Sequence, residues 1–527
     1  MKLRKIIYYS LAIILVLTIN SCEDQFLNVL PQDKITSAIF PQNESDIKLL
    51  LNGVYGQLRE KNIWKEGFYG FGVLDGATPN AYNFGNTAID LIGRGALNSG
   101  KGQTLRNIWR ISFSIIYRAN YLLEAIDNLD LSDDIKSVYI GEAHFLRGLA
   151  YAKLVECYGG VPIILSSISV DEAMNIARSS SEETWNQVIT DYDIAIANLQ
   201  VNAPSVGRAT KGSALGMEMR AYLYQKKYDK VLEVANQIDV LGKYSLFPSY
   251  HGLFTLANEN NQEVLFDIQY MSGENSQGNS HDQECGTGTG SWIRGSRYVP
   301  TQDLVDAYEK IDGSPGKYSE SNIDLDNPYQ GWDPRLEFTV VVPGSFILGF
   351  RFPNYIYPGG AFNHPGNRLK QFSCRKYRID PESDLPPSGQ SSLNNIVIRY
   401  ADVILSRAEA IIETNGNIDE AIALINRIRT ERDDVKLMPL PMGLTQDEAR
   451  QKLRHERRIE FALEGLYWGD IKRWDIGKDI YPIEIRDQVG SLIETKFPNG
   501  YLEYYNLLPI PDSERALNRN LDQNPGW

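Results

Sequence analysis

Several stretches of this chain repeat large apolar residues at three- and four-residue spacing, the period of a helix with one buried face. "ESDIKLLLNGVYGQLRE" aligns Ile47, Leu50, Leu51, Val54 and Leu58. "WRISFSIIYRANYLLEAIDNLD" carries Ala119, Leu122, Ile126 and Leu129 on one stripe. "IKSVYIGEAHFLRGLAYAKLVECYGGVPI" carries Ala143, Leu146, Ala150 and Leu154, then meets Gly159, Gly160 and Pro162, which are stop signals. The pattern recurs in "SEETWNQVITDYDIAIANLQ", with Ser181 at its cap, and in "GRATKGSALGMEMRAYLYQKKYDKVLEVANQID", which predicts two helices split at Lys226-Lys227. In that second stretch Gly212, Ala214, Gly216 and Ala221 are small enough for close helix contacts. "NNIVIRYADVILSRAEAIIETNGNIDEAIALINRIRTER" reads as helix, a turn at "NGN", then helix. Each block spans roughly 34–40 residues, the signature of tetratricopeptide-type hairpins. The blocks are degenerate and separated by insertions, so the pattern predicts a mainly α fold in which about four hairpins form a scaffold.

Between about Met271 and Leu393 the helical period vanishes, apart from "DLVDAYEK". Glycine, proline and asparagine punctuate this stretch, as they do Phe68 to Asn86. Long irregular segments in a compact chain are functional loops or disorder. Trp292, Tyr298, Trp332, Phe346, Phe350, Tyr355 and Tyr357 argue against disorder here. The expectation is a large loop-rich lobe inserted into the scaffold.

Composition narrows the function classes. With 43% hydrophobic and 23% charged residues, the 527-residue chain is that of a globular protein. A net charge of −14 repels phosphate backbones, so no nucleic-acid partner is expected. The start fits a secretory signal: Lys2, Arg4 and Lys5 precede a short apolar run from Leu11 to Leu17. Ser21 then suits a cleavage site, and Cys22 in this place resembles the acylated cysteine of bacterial lipoproteins. Cys157, Cys285 and Cys374 are odd in number and lack CxxC spacing, so disulfides are not the framework.

Catalytic and metal motifs are absent or incomplete. His455-Glu456 opens like HExxH, but Ile459 stands where the second ligand belongs. The stretch "RQKLRHERRIEFALEGLYWGDIKRW" interleaves its bases with Glu448, Glu456, Glu460, Glu464 and Asp470, as on a salt-bridged helix. "GTGTGSWIRG" lacks the Lys-Ser/Thr of a phosphate loop, and "DLDNP" lacks the glycine and closing glutamate of a calcium loop. No GxSxG elbow occurs, and nothing singles out two of the 67 acids as a catalytic pair. No enzyme activity, cofactor or metal is expected.

At "GEAHFLRGLAYAKLVECYGGVPI", "IRYADVILSRAEA", "RRIEFALEGLYWGDIKRW" and "LLPIPDSERALNRNLDQNPGW" the chain resembles the SusD/RagB family of Bacteroidetes surface lipoproteins. The resemblance implies a SusC-like TonB-dependent outer-membrane barrel as partner, over which the lipoprotein sits as a lid. It implies an oligosaccharide ligand, with a peptide-binding lid of the RagB type and a scaffold for protein partners only as alternatives. It also implies a cell outer-membrane location, anchored in lipid through Cys22 and facing the exterior. The resulting organisation is a signal peptide over 1–21, a lipidated tether over 22–40 and N-terminal helices over 41–270 with an inserted loop at 66–104. The irregular ligand-binding lobe covers 271–393, C-terminal helices cover 394–476, and a loop-rich segment over 477–527 packs on the scaffold.

A pyranose offers an apolar face to a flat aromatic ring, and its rim hydroxyls need directional donors and acceptors. The aromatic candidates are Trp292, Tyr298 and Trp332 from the late lobe and Tyr82 and Phe84 from the early loop. Asp75, Asn80, Asn83 and Arg294 are the polar candidates beside them.

Overall fold

The computed structural model describes residues 40–59, 73–83, 88–100, 103–273, 277–279, 298–318, 324, 326–347, 350–351, 372–377, 390–486 and 491–527. The expected signal peptide, Cys22 and all but the last residue of the expected tether lie outside them.

Among the described residues, nine long helices build the scaffold: α1 Glu44–Leu58, α2 Gln103–Asp127, α3 Asp133–Tyr158, α4 Ser181–Asn198, α5 Lys211–Tyr224, α6 Tyr228–Val240, α7 Tyr400–Glu413, α8 Ile418–Thr430 and α9 Gln446–Glu460. Each of α1 to α8 packs on the next in order, and α9 returns onto α7 and α8. Stacked hairpins are what the apolar period predicts. The stops are the predicted ones too. Gly159 follows α3 with φ +71°, Lys226 separates α5 from α6 at φ +57°, and Asn415 turns the chain between α7 and α8 at φ +53°.

Three sequence expectations change. Ser180 rather than Ser181 caps α4, in a reciprocal capping box with Glu183. Gly212 and Gly216 do not serve helix contacts: a Cβ on Gly212 would lie 2.2 Å from the Tyr244 hydroxyl, and one on Gly216 would lie 2.7 Å from Leu265 in a strand. The close helix crossing is on α3 instead, where a Cβ on Gly148 would lie 2.9 Å from the Tyr192 ring of α4. Finally, Asn395–Arg399 is a strand, not the start of a helix. Its run of Ile396, Val397 and Ile398 favours extended backbone.

Among the described residues the strands are short and paired two by two. Counting along the chain they are β1 Ala81–Asn83, β2 Val264–Ile268, β3 Tyr298–Pro300, β4 Val340–Val341, β5 Phe346–Ile347, β6 Phe350–Arg351, β7 Ser373–Cys374, β8 Asn395–Arg399, β9 Ile483–Arg486 and β10 Leu492–Lys496. All pairs are antiparallel: β1 with β3, β2 with β8, β4 with β7, β5 with β6 and β9 with β10. One apolar core runs through the helices, and a second gathers Tyr308, Trp332, Leu336 and Phe372 of the lobe with Tyr250 and Phe254 from the segment before it.

Charge fastens the second core to the first. Glu456, Glu460 and Glu464 follow one another at four-residue intervals at the end of α9, all buried or nearly so. From the lobe, Arg335 donates to Glu456 at 2.6 Å and to Glu460 at 3.0 Å, and Lys376 donates to Glu464 at 2.8 Å. Arg399 of β8 reaches Glu263, Glu460 and Glu464 at 2.9, 2.6 and 2.8 Å. Arg429 at the end of α8 and Arg432 just beyond it complete the ring at Glu456 and Glu460. Of the acids expected on one salt-bridged helix, Glu448, Glu456 and Glu460 lie on α9, whereas Glu464 lies in the turn after it and Asp470 in a separate short helix, Tyr467–Arg473. The principal partners of Glu456, Glu460 and Glu464 come from other elements, and the pairs are buried rather than solvated.

Candidate functional site

The candidate surface is the seam where the early loop meets the late lobe. A tight turn over Val73–Ala77 leads into β1, which pairs with β3 in the register Ala81–Pro300, Tyr82–Val299 and Asn83–Tyr298. Two clamps hold this ladder. Thr301 donates its N–H to the Asn80 carbonyl at 3.0 Å and its hydroxyl to the Pro79 carbonyl. Arg458 of α9 donates to the Asn80 side chain at 2.7 Å and to Asp303 at 2.5 Å, joining both segments to the scaffold.

The polar residues predicted for ligand are used mainly inside the protein. Asp75 is fully buried and accepts the Gly465 N–H at 3.3 Å. Burial pushes its carboxyl up to about 7, against the backbone N–H groups of Gly465 and Leu463, which favour the charged form. Asn80 is buried in the Arg458 clamp. Asn83 is buried too, its amide packed so closely on Gly76 that a Cβ there would lie 2.2 Å away.

The described aromatic candidates are also core residues. Tyr82 packs with Val299 and Ile485 in a small apolar cluster. Trp332 is 2% exposed, with Lys310 Nζ 4.7 Å from the ring centroid and Tyr318 at 5.3 Å. Their ring faces are occupied by protein. Trp292, Arg294, Phe84 and the side chain of Tyr298 lie outside the described residues. The structure thus brings the strands bearing Asn83 and Tyr298 together, while Trp332 belongs to the lobe core beneath.

In the described part of the lobe, one exposed aromatic is not among the candidates from the sequence. Phe346 opens the β5–β6 hairpin and is 63% exposed. It follows β4, which pairs with β7, which packs on β3. Its signal was present in "GSFILGF", an apolar run bounded by glycines, but nothing there distinguishes an outward ring from a buried one. Among the described residues no group of three His, Cys, Asp or Glu side chains is placed to hold a metal. Asp324 caps its own turn, accepting the Asp326 N–H at 2.9 Å.

Residues 262–527 match the model of the SusD family. The chain belongs to that family. Residues 25–223 match a second model, described as starch-binding and associating with the outer membrane. A SusD-like protein of Formosa agariphila is 26% identical over 541 residues, covering 98% of this chain and 97% of the relative. The starch-binding protein SusD of Bacteroides thetaiotaomicron is 23% identical, with 78% and 76% of the two chains covered. Among solved structures, a SusD-like carbohydrate-binding protein of Bacteroides fragilis aligns with a TM-score of 0.81 and 26% identity, over 91% of this chain and 99% of that one. Family and fold therefore agree along the chain, and no described helix is long and apolar enough to cross a membrane.

Proposed function

We propose that this chain is a lipid-anchored, cell-surface glycan-binding protein without catalytic activity. It captures an oligosaccharide and delivers it, as a lid, to a TonB-dependent outer-membrane barrel. Family membership and the starch- and carbohydrate-binding character of its relatives support the glycan. The observation that carries the site is the β1–β3 ladder, which joins the two irregular, aromatic-rich segments at one edge. The ligand surface is assigned to the segments leaving that ladder, with Phe84 after Asn83 and Trp292 and Arg294 before Tyr298. Phe346 extends it. Tyr82, Asp75, Asn80 and Trp332 serve as its foundation.

Titration calorimetry of the purified protein against a broad oligosaccharide panel tests this reading. One glycan class is expected to bind, and Trp292→Ala to weaken that binding by about tenfold, the worth of one ring–ligand stack. Absence of binding across the panel, or turnover of a bound glycan, overturns it.

A further inference from the structure

An apolar groove of about 520 Å³ lies on the scaffold, away from the ladder. The α2 side chains Phe113 and Tyr117 form one wall, and two short helices, Val170–Asn175 and Asp512–Leu517, form the other. Neither short helix contains a buried residue: Val170 is 77% exposed and Leu517 64%, opposite Tyr117 at 56%. Isolated exposed apolar residues are ordinary, but a lined, contiguous set marks a docking surface. The groove is also preformed. Ser169 and Glu172 close a capping box on the first helix, and Asn518 donates to the Ala173 and Ile176 carbonyls at 3.1 and 2.8 Å, latching the helices together.

We infer that this groove seats the chain's own segment Phe26–Leu30, which precedes the described residues. "EDQFLNVLPQDKITSAIF" is largely polar, yet it concentrates Phe26, Leu27, Val29 and Leu30 in five positions. A segment serving only as a spacer has no use for such a knot. Direction and reach both fit. Gln57 of α1 bonds Ser114 of α2 at 2.9 Å, and Gly53 faces Arg118, so the two helices are antiparallel. The segment before α1 therefore has to run back along α2 to reach the groove. From Gln57 to Glu44 the axial distance is about 20 Å, whereas Leu30 to Phe40 spans up to about 33 Å. Continuing that way brings Glu23 and Asp24 toward the exposed Arg106 and Arg110 at the start of α2. With Cys22 anchored as proposed above, a seated Phe26 leaves only Glu23, Asp24 and Gln25 between lipid and body. Docking holds the protein against the membrane, and release lengthens its tether.

The test needs neither glycan nor lipid. Hydrogen exchange is compared between the unlipidated full chain and its Phe26→Asp/Leu27→Asp/Leu30→Asp variant. Residues 168–176 and 512–521 are expected to exchange at least tenfold faster in the variant. A fluorescent peptide of residues 23–39 is expected to bind that variant, and to lose binding when Val170→Asp and Leu517→Asp are added. Unchanged exchange with no peptide binding overturns the inference. So does a dimer of the variant that protects the groove, since a second copy would then be its occupant.

Discussion

The α2–α4 layer of the scaffold buries a mainly apolar set, Phe145, Leu146, Leu149, Tyr151 and Leu154 among them, around a local polar cluster in which Arg147 pairs with Asp191 at 2.7 Å and donates to Asn120 at 2.8 Å. The seam between α9 and the lobe instead buries Arg335, Arg399, Arg429 and Arg432 almost completely, against Glu263, Glu456 and Glu460. In the first region any well-packed apolar side chain of the right volume contributes. In the second, each charge is tolerable only because several partners converge on it. The scaffold is thus held mainly by volume and period, with isolated buried pairs such as Arg147–Asp191, and the lobe is held to it by a converging set of partners. That difference suits a platform that has to carry irregular loops at fixed positions.

Breaking the seam has the largest expected effect. Arg399→Met leaves Glu263, Glu460 and Glu464 without their shared cation, and truncating one partner of a buried pair costs about 3–5 kcal/mol. Urea unfolding measures it, and a loss under 1 kcal/mol would show that water reaches the seam. In the scaffold, Leu149→Ala should cost about 3 kcal/mol, the transfer and cavity terms for a fully buried leucine. Leu149→Met should recover most of it, whereas Arg399→Lys, lacking the planar fork, should recover little of the seam.

Acid and base separate the regions differently. The Arg399, Arg432 and Arg335 guanidiniums hold Glu460 well below the usual carboxylate range, against its burial. A depressed folded value contributes stability above the unfolded carboxylate value, and this is lost as pH falls through the folded one. Asp75 under the early loop runs the other way. Its folded value of about 7 lies above the unfolded one, so the native state keeps a proton that the unfolded chain releases, and stability falls as pH rises from about 4 to about 7. Asp75→Asn should therefore stabilise the protein at pH 8 by on the order of 2 kcal/mol and change little at pH 4. Thermal melts at both values decide it: an equal effect at both would mean that Asp75 is charged in the fold.

Much of the scaffold is legible in the sequence because a helix's buried stripe is local. Val54 and Leu58, or Leu146 and Ala150, declare themselves by spacing alone. The seam is not legible in this way. Arg335 and Glu456 are 121 positions apart, and on α9 the acids and bases look like solvent-facing i,i+4 pairs until the lobe is folded over them. The same holds for the site. Nothing local pairs Asn83 with Tyr298, and Asn80 looks like a free amide until Arg458, 378 positions away, takes it. The choice of Trp332 shows the limit of reasoning from residue type. A tryptophan among glycines and prolines suits a ligand platform and a lobe core equally, and here Lys310 and Tyr318 cover it.

The smallest effect sharpens the comparison at the opposite end of α9. Thr445 caps this helix, its hydroxyl accepting the Glu448 N–H while the Glu448 carboxylate accepts the Thr445 N–H at 2.8 Å. Both groups are exposed, and the whole device lies within four residues. Thr445→Ala should cost about 1 kcal/mol, the usual worth of a cap. Because Glu456 to Glu464 lie more than two turns further on and are fixed from other elements, the loss should stay local. Combined with Arg399→Met, it should add to within about 0.5 kcal/mol. A larger coupling energy would mean that fraying at Thr445 reaches the buried charges, and that the seam depends on the whole of α9 rather than on its last turns.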